Sequence, residues 1–355
     1  MINSLVAVFG PPTPLAYALR QAVNATIAVV LGAPAYVHVN EIKVMRSVWG
    51  EAAMPGGRNI VLVSEAPQTE LSDLFIRSGV KAIVAIEPFA STVAYLTLAQ
   101  QLDFLTAVRR TSFYFSAVQN LARAPSTLLI TQQALSHDLS QIVSELCDYF
   151  SLECTAAQIG EVVSALRGSG TPVRTLYDLT VREFPEALKT LAPDHGLTAP
   201  ERSLLQSCSG GYDKVLKGDL IDEVTWHSEL FLNHDLGNNS LREPVEMIGP
   251  ARFLIFGPYL HLPSGAWQAG IDFEVTDNFS KNEVQIDALE FLDGETISNP
   301  TISLIAPVTG RFILTLNFNV NFTNSSIQIR VFLMRGAIEG LVTLHNVRIT
   351  RRNIN

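Results

Sequence analysis

The sequence predicts an α/β domain built on a parallel sheet, followed by an all-β antiparallel sandwich of jelly-roll-like kind. Three observations carry this reading. In the first half, short apolar runs without alternation are separated by helix-like stretches, the pattern of strands covered on both faces. Past about residue 240 the hydrophobic period changes to two: Phe312, Leu314, Leu316, Phe318, Val320 and Phe322 alternate with Ile313, Thr315, Asn317, Asn319 and Asn321. Between the two halves, Asn233–Asn239 is dense in turn formers and reads as a linker.

Taken in order, Leu5–Phe9 is a strand ended by Gly10-Pro11-Pro12, and Leu15–Ala28 is a helix. Ile60–Val63 is a second strand and Leu71–Ser78 a second helix. Lys81–Ile86 is a third strand ended by Glu87-Pro88, and a helix runs over Ser91–Val108. Thr127–Thr131 is a fourth strand, and a helix follows from about His137 to Phe150, with Ser136 as its N-cap. In the second half Trp267, Ala269, Ile271, Phe273 and Val275 repeat the two-residue period, as do Ile327, Ile329, Val331 and Leu333. Turn signals fall between such runs, and roughly seven or eight short strands follow from them. The expected division is an α/β domain over 1–205, a linker region over 206–240 and a sandwich over 241–355.

Composition narrows the function. With 47% hydrophobic and 17% charged residues the chain folds, and a formal net charge of −9 argues against a nucleic-acid partner. Three cysteines, Cys147, Cys154 and Cys208, make neither a disulfide framework nor a zinc pattern, so a reducing, cytoplasmic setting is expected. Cys147 and Cys154 read as small buried hydrophobes. No uninterrupted apolar run reaches the ~18 residues of a membrane span, so no transmembrane segment is expected. His195, His227 and His234 form no spaced metal set.

A phosphate cradle after the first strand would need glycines and a following Lys or Arg, so that backbone N–H groups and a cation meet the anion. Here only Gly10 is available, Thr13 is the nearest hydroxyl, and Pro11, Pro12 and Pro14 donate nothing. Even so, three stretches together resemble P-loop sulfotransferases. Gly10-Pro11-Pro12 is similar to the start of their Pro-Arg-Ser-Gly-Thr-Thr loop with its middle deleted. Lys81–Tyr95 resembles the strand, Arg-Asp-Pro-like turn and helix that grip the 3′-phosphate of the donor, with Ile86 at the Arg position and Tyr95 at the Ser position. Leu128–Val163 is similar to the strand and helices that follow. The resemblance covers about residues 1–165 and implies 3′-phosphoadenosine 5′-phosphosulfate (PAPS) as cofactor and a Glu or His base, for which Glu41, Glu51 and Glu65 fall in the right quarter. Because the gripping residues are replaced, the implied protein is a pseudo-sulfotransferase: no catalytic residue, no cofactor, and a vestigial loop at Gly10 and Thr13. PAPS enters only if activity is retained.

Pro250–Val275 resembles the opening of β-sandwiches attached to bacterial polysaccharide proteins, themselves similar to carbohydrate-binding modules. The matching residues are Gly257-Pro258-Tyr259, Leu262-Pro263-Ser264-Gly265 and Trp267, with Arg330 on the later Ile327–Gly336 strand. Sugar binding asks for an aromatic face and planar donors, which Tyr259, His261, Trp267 and Arg330 would supply. For Trp267 the competing reading is core packing, since it is in phase with Ile271 and Phe273. The expected function is non-catalytic recognition or scaffolding in a bacterial surface-polysaccharide system. Its partners are a polysaccharide or glycan precursor and other glycan-biosynthesis proteins. Two alternatives stand: a sulfotransferase acting on a glycan, and a homo-oligomer assembled through sandwich edges.

Overall fold

The computed structural model describes residues 2–52, 58–168, 173–185, 197–234, 239–292, 294–298 and 300–352. By packing, the chain divides into two units. The first comprises Met1–Leu102, Ala117–Leu197 and Val215–Leu220, and the second comprises Asp103–Ser116, Thr198–Lys214 and Ile221–Asn355. The fold class is the expected one: a parallel α/β sheet, then antiparallel β-sheets.

In the first unit, strands β1 (Ile2–Phe9), β2 (Ala35–His38), β3 (Arg58–Ser64), β4 (Ala82–Ile86) and β5 (Thr127–Thr131) form one sheet in the order β2-β3-β1-β4-β5, all parallel. Every residue of β4 is buried, which is why its sequence is continuously apolar. Helices α1 (Pro14–Leu31), α2 (Ile42–Ala52), α3 (Thr69–Ser78) and α4 (Phe89–Leu98) accompany the strands. The helix expected over Ser91–Val108 is two helices. Its first part is α4, and α5 (Phe104–Ala122) begins afresh where the Asp103 carboxylate accepts the Thr106 N–H at 3.0 Å. β2 and α2 lie in a stretch where the sequence pattern gave no element. α1 is long and apolar enough to cross a membrane by length and composition, but Leu15, Ala16, Leu19, Ala22, Val23 and Ile27 are buried in the core of this unit.

Helices α6 (Leu139–Phe150), α7 (Ala156–Arg167) and α8 (Leu176–Glu183) complete the layer. The N-cap of α6 is Asp138 rather than Ser136, because a 3₁₀ turn over Gln132–Ser136 takes up the preceding residues. Cys147 and Cys154 are joined as a disulfide across the α6–α7 turn, correcting their reading as two separate buried thiols. Such bonds persist in oxidising rather than reducing surroundings.

The second unit holds α9 (Ala199–Tyr212) and the antiparallel strands. One sheet runs in the order β16 (Gly310–Val320), β12 (Gly265–Thr276), β18 (Leu341–Arg351), β6 (Glu223–His227), with β9 (Val245–Glu246) on β18. The other contains β14 (Glu295–Ser298), β13 (Glu283–Leu292), β17 (Ser326–Leu333), β10 (Arg252–Phe256), β7 (Leu232–Asn233) and β8 (Asn239–Ser240). β11 (Pro258–His261) pairs with β17, and β15 (Thr301–Ile305) pairs with β13. The alternation is realised in full on β12: Trp267, Ala269, Ile271, Phe273 and Val275 are all 0% exposed. Of the stretch 206–240, residues 206–212 finish α9 and Glu223–His227 form β6; residues 235–238 lie outside the described residues, as does His195. A Cβ on Gly211 would lie 2.1 Å from the Glu223 carbonyl oxygen, so this glycine is what lets α9 press onto β6.

Candidate functional site

Two places answer to the residues singled out in the sequence, one in each unit. The first is the turn from β1 into α1, where a parallel sheet of this order would present an anion to a helix N-terminus. Gly10 has φ +142, and a Cβ there would lie 2.0 Å from the Ala85 carbonyl oxygen, so only glycine lets the turn press on β4. Thr13, fully buried, is the N-cap of α1.

The fate of each backbone donor in this turn can be followed. Gly10 N–H donates to Ser64 O at 3.0 Å and Thr13 N–H to Pro11 O at 2.7 Å. Pro11, Pro12 and Pro14 have no N–H. Leu15 N–H donates to the Glu87 carboxylate, Ala16 N–H to Thr13 Oγ1 at 3.4 Å, and Tyr17 N–H to Thr13 O at 3.0 Å. The N–H groups of Gly10, Thr13, Leu15, Ala16 and Tyr17 are thus all engaged within the protein.

Glu87 itself sits where such an anion would. It lies just past the end of β4, is 2% exposed, and takes hydrogen bonds from the Thr13 hydroxyl and Leu15 N–H. Burial pushes its pKa up to about 7, against the pull of those two bonds. The guanidinium closest to the turn is also engaged: Arg20, 4% exposed, donates through Nη2 to Gly10 O at 2.9 Å and sits 3.5 Å from Glu65 through Nη1. Glu65 also accepts from the Tyr17 phenol, so this carboxylate is an ion-pair partner and not an unengaged base. Ile86, at the expected Arg position, is 0% exposed. Tyr95, at the expected Ser position, is buried, with its phenol pushed up to about 12 by desolvation, and its ring meets Phe184 edge-on at 6.5 Å.

The second place is in the sandwich unit, around Tyr259 on β11. Tyr259 is half-buried and holds φ +67, a left-handed conformation that costs a bulky residue about 1–3 kcal/mol and persists only where its surroundings enforce it. The Arg109 guanidinium lies 4.9 Å over its ring, while Arg109 Nε donates to Pro258 O at 2.8 Å. Arg109 Nη2 is buried and has no hydrogen-bond partner, and desolvation lowers the pKa of this guanidinium.

Arg330 bears on Tyr259 from β17. It makes a two-pronged bond to its cross-strand neighbour Asp287, at 2.8 and 2.6 Å, and lies 4.8 Å over the Phe253 ring. Phe256 meets Tyr259 edge-on at 6.5 Å, and Phe253 meets Phe332 at 4.9 Å. Burial raises the Tyr259 phenol, and the positive charges of Arg109 and Arg330 oppose that rise. Half-buried rings among planar cations are thus gathered here from β10, β11, β17 and the first turns of α5.

Of the four residues expected to touch sugar, Tyr259 and Arg330 come together. Trp267 is instead 0% exposed, its indole N–H on Pro263 O at 3.0 Å, so it offers no ring face to a ligand. His261 is held by the protein: Ser112 Oγ accepts its backbone N–H at 3.0 Å, and Phe113 packs on its ring at 5.0 Å. Desolvation brings its pKa down to about 4. Sequence reasoning missed Glu87, Arg20, Arg109, Asp287 and the rings of Phe253 and Phe256. For Glu87 a signal existed, an acid closing an otherwise wholly apolar strand. For Arg109 there was none, because it is brought to Tyr259 from 150 residues away by the tertiary fold alone.

No protein-family model matches this chain, and no curated protein matches it. Among solved structures it is similar to a mouse sulfotransferase complexed with PAP, at 11% identity over 60% of this chain and 82% of that one, TM-score 0.35. It is also similar to the CBM36-1 domain of a xylanase from the hindgut metagenome of Trinervitermes trinervoides, at 10% identity over 38% of this chain and 100% of that one, TM-score 0.24. A third is the C-terminal CBM6 of a laminarinase from Zobellia galactanivorans, at 14% identity over 37% of this chain and 100% of that one, TM-score 0.23. At these scores the likenesses assign no function.

Proposed function

We propose that this protein recognises a glycan without transforming it, through the Tyr259 face of its sandwich, with the α/β unit as a scaffold that takes no sulfate donor. The proposed partner is a polysaccharide or precursor of a bacterial surface-glycan system. The observation that supports the recognition role is the strained, half-buried Tyr259 beside Phe256, Arg109 and Arg330. Apolar ring faces meet the C–H side of a pyranose, and guanidinium forks meet its oxygens. The scaffold reading of the α/β unit is supported by Glu87 and Thr13 having taken up first-turn donors of α1.

The test is affinity electrophoresis of the full chain through gels containing a panel of polysaccharides, with Tyr259→Ala run alongside. Retardation of the wild type that Tyr259→Ala loses supports the reading. No retardation by any member of the panel overturns it. A thermal shift with millimolar 3′-phosphoadenosine 5′-phosphate tests the second half. A ligand at 100 times its Kd stabilises by about 2.7 kcal/mol, so a clear upward shift would show a working donor site and remove the scaffold reading.

A further inference from the structure

Among the described residues no carboxylate is in hydrogen-bond contact with the Arg109 guanidinium. This guanidinium spends one N–H on Pro258 O and its face on Tyr259, while Nη2 is buried with no acceptor. A desolvated charge left uncompensated is costly, and native structures rarely keep one without a reason. Arg330, on the other side of Tyr259, is a useful contrast: its fork is fully taken by Asp287 at 2.8 and 2.6 Å. Two positive groups therefore bear on one tyrosine ring, and among the described residues a carboxylate is in contact with Arg330 alone of the two. Asp103, the acid whose charge acts on Arg109, is engaged in capping α5 through Thr106 N–H.

Resting on the glycan reading above, we infer that the glycan is anionic: a sugar carrying a carboxylate or sulfate ester that pairs with Arg109 while its ring meets Tyr259. A guanidinium N–H makes a charge-assisted hydrogen bond to either oxyanion, stronger than one between neutral groups. At a net charge of −9 a polyanion is repelled by the protein as a whole, so binding of one requires a local, built cation site.

The experiment uses the full chain in affinity electrophoresis with equal masses of polygalacturonate (carboxylate), dextran sulfate (sulfate ester) and laminarin (neutral). The wild type is expected to be held at least tenfold more strongly by one of the two anionic polymers than by laminarin, and Arg109→Gln is expected to erase that preference. Which polymer it prefers tells carboxylate from sulfate. Equal retention by laminarin overturns this inference and leaves glycan recognition standing, whereas no retention by any polymer overturns both. Equal retention by single-stranded DNA shows a generic polyanion site and overturns it too. Should Arg109→Gln not fold, the wild type alone decides. Retention that does not weaken between 50 and 300 mM salt refutes an ionic contact, since screening over that range shortens the Debye length from roughly 14 to 6 Å.

Discussion

Replacing Glu87 by Gln should change how the α/β unit responds to pH more than it changes stability at any one pH. The carboxyl is 2% exposed, and its pKa stands at about 7 against an ordinary 4.5. A raised acid holds its proton more tightly folded than unfolded. The folded state therefore binds the extra proton between pH 4.5 and 7, stability falls as pH rises through that window, and the cost is complete above about 7. At about 1.4 kcal/mol per pH unit the full cost is about 3 kcal/mol. Glutamine can still accept from Leu15 N–H and Thr13, but its amide N–H groups find no acceptor named at this site, so at pH 5 the variant starts about 1–3 kcal/mol below the wild type. Between pH 5 and pH 8 the difference between variant and wild type should move by about 3 kcal/mol in the variant's favour, whatever the starting offset. In a unit of this size that is roughly 6–12 °C of relative Tm. Thermal melts of both proteins at pH 5, 6, 7 and 8 read it directly. An offset that stays constant across the series would mean that Glu87 is ionised throughout, and the account of it as a buried, partly protonated stand-in for an external anion would be refuted.

Three further outcomes are expected. Reducing Cys147–Cys154, which closes a loop over a sequence separation of 7, should cost about 2 kcal/mol of stability, read from melts with and without reductant. Gly10→Ala should destabilise the α/β unit by more than about 2 kcal/mol, because its Cβ would meet Ala85 O at 2.0 Å on a backbone at φ +142; a melt within 2 °C of the wild type would show that the turn can shift. His261, held down to about 4 from 6.5, should withdraw stability from the sandwich unit as pH falls through that window, by about 3 kcal/mol once below 4, since only the unfolded chain takes up the proton; His261→Gln should flatten this slope.

What could be read in the sequence follows the physics of each element. β12 and β17 were legible because one face of each is wholly buried and a two-residue period has no other explanation. β4 was legible as a continuous apolar run for the opposite reason, since both its faces are covered. β2 was not: four residues with alternating half-burial and exposure carry too little pattern to stand out. The break between α4 and α5 was missed because Ala99-Gln100-Gln101-Leu102 contains no glycine or proline and has a helix-forming composition, while the restart is made by the Asp103 cap, a short-range polar signal. The shortage of backbone donors in the turn after β1 was visible in its three prolines. That Glu87 fills the place was not, because it takes tertiary contact between the end of β4 and the start of α1 to bring Glu87 to Leu15 N–H. Trp267 and Tyr259 show the same limit: both are aromatics beside turns, and only their position relative to the core decides which one stays partly exposed.

The same contacts argue that no single substitution would turn this loop into a donor site. A basic residue at Ile86 would place a charge where the side chain is 0% exposed, and a lone buried cation costs more than the anion contact it would gain. Removing Glu87 would release Leu15 N–H, yet Pro11, Pro12 and Pro14 would still supply no donors, and Thr13 N–H would still be held by Pro11 O. Arg20 would still be drawn to Gly10 O and Glu65. Apart from Arg20 Nε, which is buried without a partner, these groups are held by one another or by Glu65, so a single substitution creates a further unpaired buried donor, acceptor or charge before it creates any affinity. A turn arranged in this way is stable as a piece of architecture. Glu87→Gly together with Ile86→Arg should therefore unfold the α/β unit and leave 3′-phosphoadenosine 5′-phosphate unbound, whereas a double variant that melts near the wild type and binds the nucleotide would show the site to be only shallowly closed.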